Sequence, residues 1–205
     1  TDQSKAGKVM RTILMRLGSE VYEQICLAAA SADEDRGTAI YYVLHRAFGG
    51  GRCEKRVMEA LADPYVSRVA KLALCVKREY HHYFGFVRFR EISGRFLLAK
   101  IQPGNDILSL MALHFSNRFP NENWVIYDEK RQKALCHEKG KECVMRKGVR
   151  IQVPGSAVGD MGEYEELWQT FCDSISIEAR RNEKLQKQML ALHFRSNMPE
   201  FSMKG

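Results

Sequence analysis

The residues best suited to chemistry lie between Glu79 and Asp128, where histidines and arginines are interspersed with aromatic side chains. Glu79 precedes His82 by three residues, and a carboxylate close to an imidazole can serve as a general base with its orienting group. His114 is a third acid/base candidate. A structural interpretation is equally open, in which Glu79 forms an internal salt bridge and His114 is a hydrogen-bonded core histidine.

Arginines beside aromatic residues suggest an anion-binding site in the same region. A strand over residues 83–92 would place four such side chains on one face, since successive residues alternate between faces: Phe84, Phe86, Arg88 and Arg90. A helix from Ile107 to Asn117 would bring Arg118 to the margin of an apolar stripe. Aromatic rings stack on bases and arginines hold phosphates in proteins that bind single strands. The alternative is an edge of the core, with Arg118 paired to an internal carboxylate.

A local basic cluster gives a second anion-binding candidate. The formal net charge is +7, and residues 130–150 contain eight basic residues against Glu138 and Glu142. The candidate residues in this segment are Lys130, Arg131, Lys133, Arg146, Lys147 and Arg150. Such a cluster can contact phosphates, or its lysines can protect an edge strand from pairing with another chain.

Several classes of protein are disfavoured by the sequence. It contains neither a phosphate-binding glycine motif of the nucleotide hydrolases nor a nucleophile elbow. The six cysteines form no CxxC pair, so we expect no metal, no cofactor and reduced thiols in a cytoplasmic protein. No apolar run is long enough to span a bilayer, so we expect no membrane association.

The order of the periodic segments predicts an α+β fold. Residues 1–80 are expected to form a helical bundle, and residues 81–150 a hairpin, a central helix and a second hairpin, which together make a small antiparallel sheet. Two further helices are expected within residues 163–197. Because no linker interrupts the chain, we expect a single compact domain over residues 1–205.

A series of short motifs runs in order along nearly the whole chain. They are GFVRFRE at 85–91, Gln102-Pro103, Asp106-Ile107-Leu108, His114-Phe115, Arg118-Phe119-Pro120, Trp124 with Ile126 and Asp128, Leu167-Trp168, and Asn197-Met198-Pro199-Glu200. With these motifs the sequence resembles a bacterial family of unknown function described as probable DNA metabolism proteins. Members resemble the partner of a DNA-modification radical-SAM protein, and related domains are fused to uracil-DNA glycosylase-like domains.

The resemblance implies an accessory role in DNA repair or modification, in which the protein binds DNA, a radical-SAM or glycosylase-like enzyme, or both. It supplies no established catalytic residues. It also implies that members carry a further N-terminal segment. Two alternatives stay open: an enzyme that acts on a nucleic-acid base or phosphate through Glu79, His82 and His114, and a protein-binding module that docks through its C-terminal helices.

Overall fold

The structure, a computed structural model, describes residues 3–49, 56–92 and 96–149, with single positions at 190, 194 and 198. The chain divides into two compact units. Unit 1 contains the chain up to His81 together with Gly104–Ile107, and unit 2 contains His82–Pro103 and the chain from Leu108 onward. The α+β class is confirmed. The single-domain organisation stays a prediction, and the two expected C-terminal helices lie outside the described residues.

Unit 1 is helical, as its sequence periodicity predicts. It contains α1 (Gln3–Leu17), α2 (Ser19–Ala30), α3 (Arg36–Gly49), a 3-10 turn (Val57–Glu59) and most of α4 (Pro64–Phe86). Apolar residues at three- and four-residue spacing place one side of each helix in a shared core. The core includes Ile13, Leu17, Val21, Ile25, Val43, Ala47, Val66 and Val69.

Asp63 sets the start of α4. Its Oδ1 accepts hydrogen bonds from the backbone N–H groups of Tyr65 at 2.8 Å and Val66 at 3.2 Å, which is the geometry of an N-cap. Its Oδ2 lies 2.8 Å from Nη1 of Arg46 on α3. The Val66 N–H, with further help from Arg46 and the Tyr65 N–H, lowers the pKa of Asp63 against the opposing effect of desolvation.

The helix α4 is longer than the sequence suggested. The expected boundary of the helical part at residue 80 and the expected strand from Tyr83 are both wrong, because α4 continues to Phe86. Aromatic residues favour strands only weakly, and packing overrides such propensities. Tyr83 follows the buried Val76 by seven residues, two helical turns, and is itself 4% exposed, so it extends the helical stripe.

Unit 2 contains one five-stranded sheet in the order β1-β2-β3-β4-β5. The strands are β1 (Arg90–Ile92), β2 (Phe96–Ile101), β3 (Trp124–Asp128), β4 (Lys133–His137) and β5 (Val144–Lys147). Both predicted hairpins are present, but the expectation of a purely antiparallel sheet is wrong, because β2 pairs with β3 in parallel. Helix α5 (Leu108–Arg118) lies between these two strands in the sequence, and a connection of this length allows a parallel pair.

Among the described helices, none is both long and apolar enough to cross a membrane.

We predict that the stability of the fold falls in acid partly through Asp63. A carboxyl group with a lowered pKa stabilises the fold at pH values above its unfolded pKa, and this contribution is lost as the pH falls through the lowered folded pKa. Replacing Asp63 with Asn should therefore reduce the free energy of unfolding near neutral pH and have a diminishing effect in acid. Urea denaturation across a pH series measures this, with Glu34→Gln, at an exposed carboxylate, as the control. An equal effect of Asp63→Asn at every pH would contradict the prediction.

Candidate functional site

Within unit 1, the Glu79 carboxylate binds the loop Gly104–Ile107, which follows β2 in the sequence. Its Oε1 accepts a hydrogen bond from the Gly104 N–H at 2.6 Å, and its Oε2 accepts from the backbone N–H of Asn105 at 3.0 Å and from Asn105 Nδ2 at 2.6 Å. A Cβ at position 104 would lie 3.2 Å from Oε1, so the close approach of backbone and carboxylate favours glycine. Glu79 thus accepts three hydrogen bonds from this loop.

The same loop is held from the other side by the end of α2 and the residues after it. The Ala32 N–H donates to Asn105 Oδ1 at 2.9 Å, and the Asp106 N–H donates to the Ala30 carbonyl oxygen at 2.9 Å. Both oxygens of Glu79 are therefore part of a structural hydrogen-bond network. This arrangement favours the structural interpretation of Glu79 over its use as a general base.

The two candidate histidines lie in unit 2, whereas Glu79 lies in unit 1. His82 is an exposed residue of α4 whose ring meets the edges of Phe86 and Phe194, with centroids 6.1 Å and 5.9 Å away. His114 is half-buried on α5 and stacks face to face on Phe84 at 3.9 Å with an interplanar angle of 9°. Each imidazole therefore packs against aromatic rings, and His114 does so by stacking on Phe84.

A small pocket of unit 2 combines aromatic and cationic side chains, with a volume of about 100 Å³. Its walls come from the end of α4, the segment before β1 and the end of α5. They are formed by Phe84, Gly85, Val87, Arg88, Phe89, Phe115, Arg118 and Phe119. The rings of Phe89 and Phe119 meet edge to face at 5.3 Å. The structure therefore brings two of the sequence candidates, Arg88 and Arg118, to one aromatic-lined cavity.

The two pocket arginines differ in their surroundings. Arg88 donates from Nη1 to the carbonyl oxygen of Gly85 at 2.8 Å, which satisfies a terminal carbonyl of α4 and places a cation at the negative end of the helix dipole. Arg118 is exposed in the last turn of α5, and its guanidinium carbon lies 5.6 Å from the ring centroid of Phe119. Within the described part of the chain no carboxylate pairs with Arg118. The expected internal salt bridge of Arg118 is therefore not seen there.

The chemistry of the pocket walls favours binding over proton transfer. The lining residues are phenylalanine, valine, glycine and arginine, and arginine does not release its proton in proteins. An aromatic wall with two guanidinium groups can hold a flat ring by stacking and a nearby anion by charge. Among the described residues, no group of three or more His, Cys, Asp or Glu side chains could hold a metal ion.

The basic segment 130–150 divides into a structural part and an exposed part. Arg131 donates from Nη1 to Oδ2 of Asp128 at 3.1 Å and to the Pro103 carbonyl oxygen at 2.9 Å, and Asp128 is fully buried. Arg131 therefore compensates a buried charge in the turn between β3 and β4. Lys130, Arg146 and Lys147 are exposed.

Two of the remaining candidates, Arg90 and Lys133, lie on strands of the sheet. Arg90 is half-buried and pairs in register with Leu98 of β2. The half-buried Lys133 on β4 lies directly across from Lys147 on β5, and like charges in such a cross-strand pair repel. Arg150 lies outside the described residues.

The sequence alone did not identify Phe89, which is a wall of the pocket. Its ring meets Phe115 at 5.5 Å and Trp124 at 6.3 Å, both edge to face. On the strand expected over residues 83–92, Phe89 would have pointed away from Arg88 and Arg90. The signal that could have located it is the four-residue spacing of Phe115 and Phe119, which predicts an aromatic surface at the end of α5.

We predict that Glu79 is required for stability. Replacing Glu79 with Ala leaves three N–H donors without their acceptor, so the free energy of unfolding should fall by about 2 kcal/mol or more. Denaturant unfolding followed by circular dichroism measures the loss. The matched control is Glu34→Ala, at an exposed carboxylate in the turn before α3. Unchanged stability of Glu79→Ala would contradict the structural role.

Comparison with known proteins identifies a family for this chain but no activity. Neither the curated proteins nor the solved structures gave a match. The chain matches DUF4130, a domain of unknown function, over residues 34–200. The matched residues include α3, α4, the sheet and α5, and therefore the whole of the aromatic pocket. Since this match covers most of its length, the chain belongs to the DUF4130 family.

Proposed function

We propose that this protein is an accessory factor of DNA metabolism that binds single-stranded nucleic acid through the pocket of unit 2. The observation that carries the proposal is the composition of the pocket, in which four phenylalanine rings lie beside two arginines. Bases stack on aromatic side chains without regard to sequence, and arginines attract the phosphates that link them. The accessory role and an enzyme partner of the radical-SAM or glycosylase-like type rest on the family resemblance alone.

The size of the pocket limits the way in which a ligand would bind. A cavity of about 100 Å³ is smaller than the roughly 300–1,000 Å³ that encloses a drug-sized molecule. It would therefore accept one planar ring, while the rest of the ligand stays on the surface. A polymer that inserts single bases and keeps its phosphates outside fits this description better than a free nucleotide.

The exposed cations Lys130, Arg146 and Lys147 supply a phosphate-binding surface on the same unit. Their contribution would be electrostatic and independent of sequence, and would weaken as salt screens it. Base stacking in the pocket depends less on salt. The two contributions can therefore be separated by measuring the affinity across a salt series.

We predict that the protein binds labelled single-stranded DNA and that the pocket residues carry part of the affinity. Phe119→Leu keeps an apolar side chain but removes a stacking face, so the affinity should fall by about 1–3 kcal/mol, roughly 5- to 150-fold in Kd. Arg118→Gln should weaken binding and reduce the salt dependence of log K by about 0.7, the value for one phosphate contact. Fluorescence anisotropy with a short oligothymidylate measures both effects.

The control is Arg56→Gln, which removes an exposed charge of unit 1 that is paired with Glu59. Trp124 provides a second measurement, because its ring lies 6.3 Å from Phe89 and 6.1 Å from Phe115, two walls of the pocket. In a Trp168→Phe background, oligothymidylate should change the emission of Trp124. Absence of binding at low salt, or equal affinities of the wild type and the Phe119→Leu variant, would reject the proposed site.

A further inference from the structure

The most one-sided charge distribution in unit 1 is that of helix α1. Its fifteen residues include four basic residues and no acidic residue. The neighbouring helix α2 has the opposite composition, with Glu20 and Glu23 and no basic residue. Charges of opposite sign on adjacent helices usually pair, yet the carboxylate of Glu23 lies 3.7 Å from Lys77 of α4.

Several of the described basic side chains on the other elements of unit 1 have a carboxylate partner. Arg46 pairs with Asp63, Arg56 with Glu59 and Arg68 with Asp33. These pairs neutralise the surface of α3, the 3-10 turn and α4 in part.

Three of the four basic residues of α1 have no carboxylate partner among the residues that the structure describes. Lys8, Arg11 and Arg16 are all exposed, and within that part of the chain no carboxylate lies within salt-bridge distance of them. The guanidinium of Arg16 lies 5.7 Å from the Phe48 ring, which holds it against α3. Lys8 and Arg11 are three residues apart, so they are neighbours along one side of the helix.

From this distribution we propose that the cationic side of α1 is a binding surface for the phosphate backbone of nucleic acid. The surface is defined by Lys8, Arg11 and Arg16. Along the helix Arg11 rises about 4.5 Å above Lys8, and Arg16 about 7.5 Å above Arg11, and long flexible side chains can reach successive phosphates over such distances. Concentrated positive charge without internal neutralisation is complementary to a polyanion.

A membrane surface is the rival occupant, because basic amphipathic helices bind anionic lipids with their apolar side inserted. In α1 the centre of the apolar stripe is not free for insertion. Ile13 is 5% exposed and Leu17 is 3% exposed, and both lie in the core of unit 1. Val9, Met10, Leu14 and Met15 are exposed, but the helix cannot insert its whole apolar side while Ile13 and Leu17 lie in the core. The structure therefore favours a ligand that contacts the cationic side.

This surface is distinct from the site already described. Helix α1 lies outside residues 34–200, which match the family, and it belongs to unit 1, whereas the pocket belongs to unit 2. The inference rests on the proposed function, since both concern nucleic acid. The two sites are nevertheless separable, because variants of one leave the other unchanged.

The test is a salt series with labelled oligothymidylate and the double variant Lys8→Gln/Arg11→Gln. Glutamine has nearly the same helix propensity as lysine and arginine, so the fold should be retained, which circular dichroism verifies. Loss of two phosphate contacts should reduce the salt dependence of log K by about 1.4 and weaken binding roughly 25-fold at about 0.1 M salt. The matched control is Lys71→Gln/Arg78→Gln, which removes two exposed charges from α4.

The outcomes distinguish this inference from the proposed function. A lower affinity and a smaller salt dependence of log K for the α1 double variant, with no such change for the α4 double variant, support the surface on α1. Equal changes in both double variants would show that binding responds only to net charge, and would overturn the inference. Wild-type binding that depends on Phe119 but not on Lys8 and Arg11 would overturn the α1 surface and leave the pocket intact. The reverse dependence would reject the pocket and leave the α1 surface.

Vesicles provide the remaining arm of the test. Phosphatidylcholine vesicles with and without phosphatidylglycerol are mixed with the wild-type protein and with the Lys8→Gln/Arg11→Gln variant in a sedimentation assay. Binding to anionic vesicles that requires Lys8 and Arg11, together with no binding to DNA, would assign the surface to lipid and overturn the inference. Failure of the wild type to bind DNA at low salt would reject both proposals.

Discussion

The hydrogen bonds of Glu79 constrain how the chain can be arranged between β2 and α5. Gly104–Ile107 belongs to unit 1, although the residues on both sides of it belong to unit 2. A short loop retains such a position only if its polar backbone groups have partners there. Glu79 accepts the N–H groups of Gly104 and Asn105, and the Ala30 carbonyl accepts that of Asp106. Three consecutive backbone N–H groups of this loop are therefore paired within unit 1.

The length of α4 determines which of its residues line the pocket. Because the helix continues to Phe86, its last turn presents Phe84 and Gly85 to the cavity, and the Arg88 side chain returns to the Gly85 carbonyl oxygen. A strand over the same residues would have separated Phe84 from Phe89 by alternation. The pocket therefore forms where α4 ends and the chain leads into β1. Arginine at that position stabilises the helix terminus, so the binding role proposed for Arg88 would be additional to a structural one.

Much of the fold could be predicted from local patterns, whereas the partners of charged residues could not. The second hairpin, Trp124–Asp128 with Lys133–His137, was predicted, since two largely apolar runs, the first rich in β-branched and aromatic residues, flank a polar turn. The parallel pairing of β2 with β3 is a contact between segments far apart in sequence, and no local pattern encodes it. For the same reason the sequence could not show that Glu79 binds backbone amides, that Asp128 pairs with Arg131, or that Arg88 and Arg118 line one pocket.

The distribution of charge explains why an overall net charge is a poor guide to the surfaces of this protein. Arg131, one of the basic residues of the segment 130–150, compensates the buried Asp128, and Arg46, Arg56 and Arg68 pair with carboxylates. These cations contribute to the formal charge of +7 but little to the field beyond the surface, because their partners cancel them at short range. Among the described residues, exposed cations without a carboxylate partner include Lys8, Arg11 and Arg16 of α1, Lys71 and Arg78 of α4, Arg118, and Arg146 and Lys147 of β5. A polyanion would be attracted to exposed cations of this kind rather than to those whose partners cancel them.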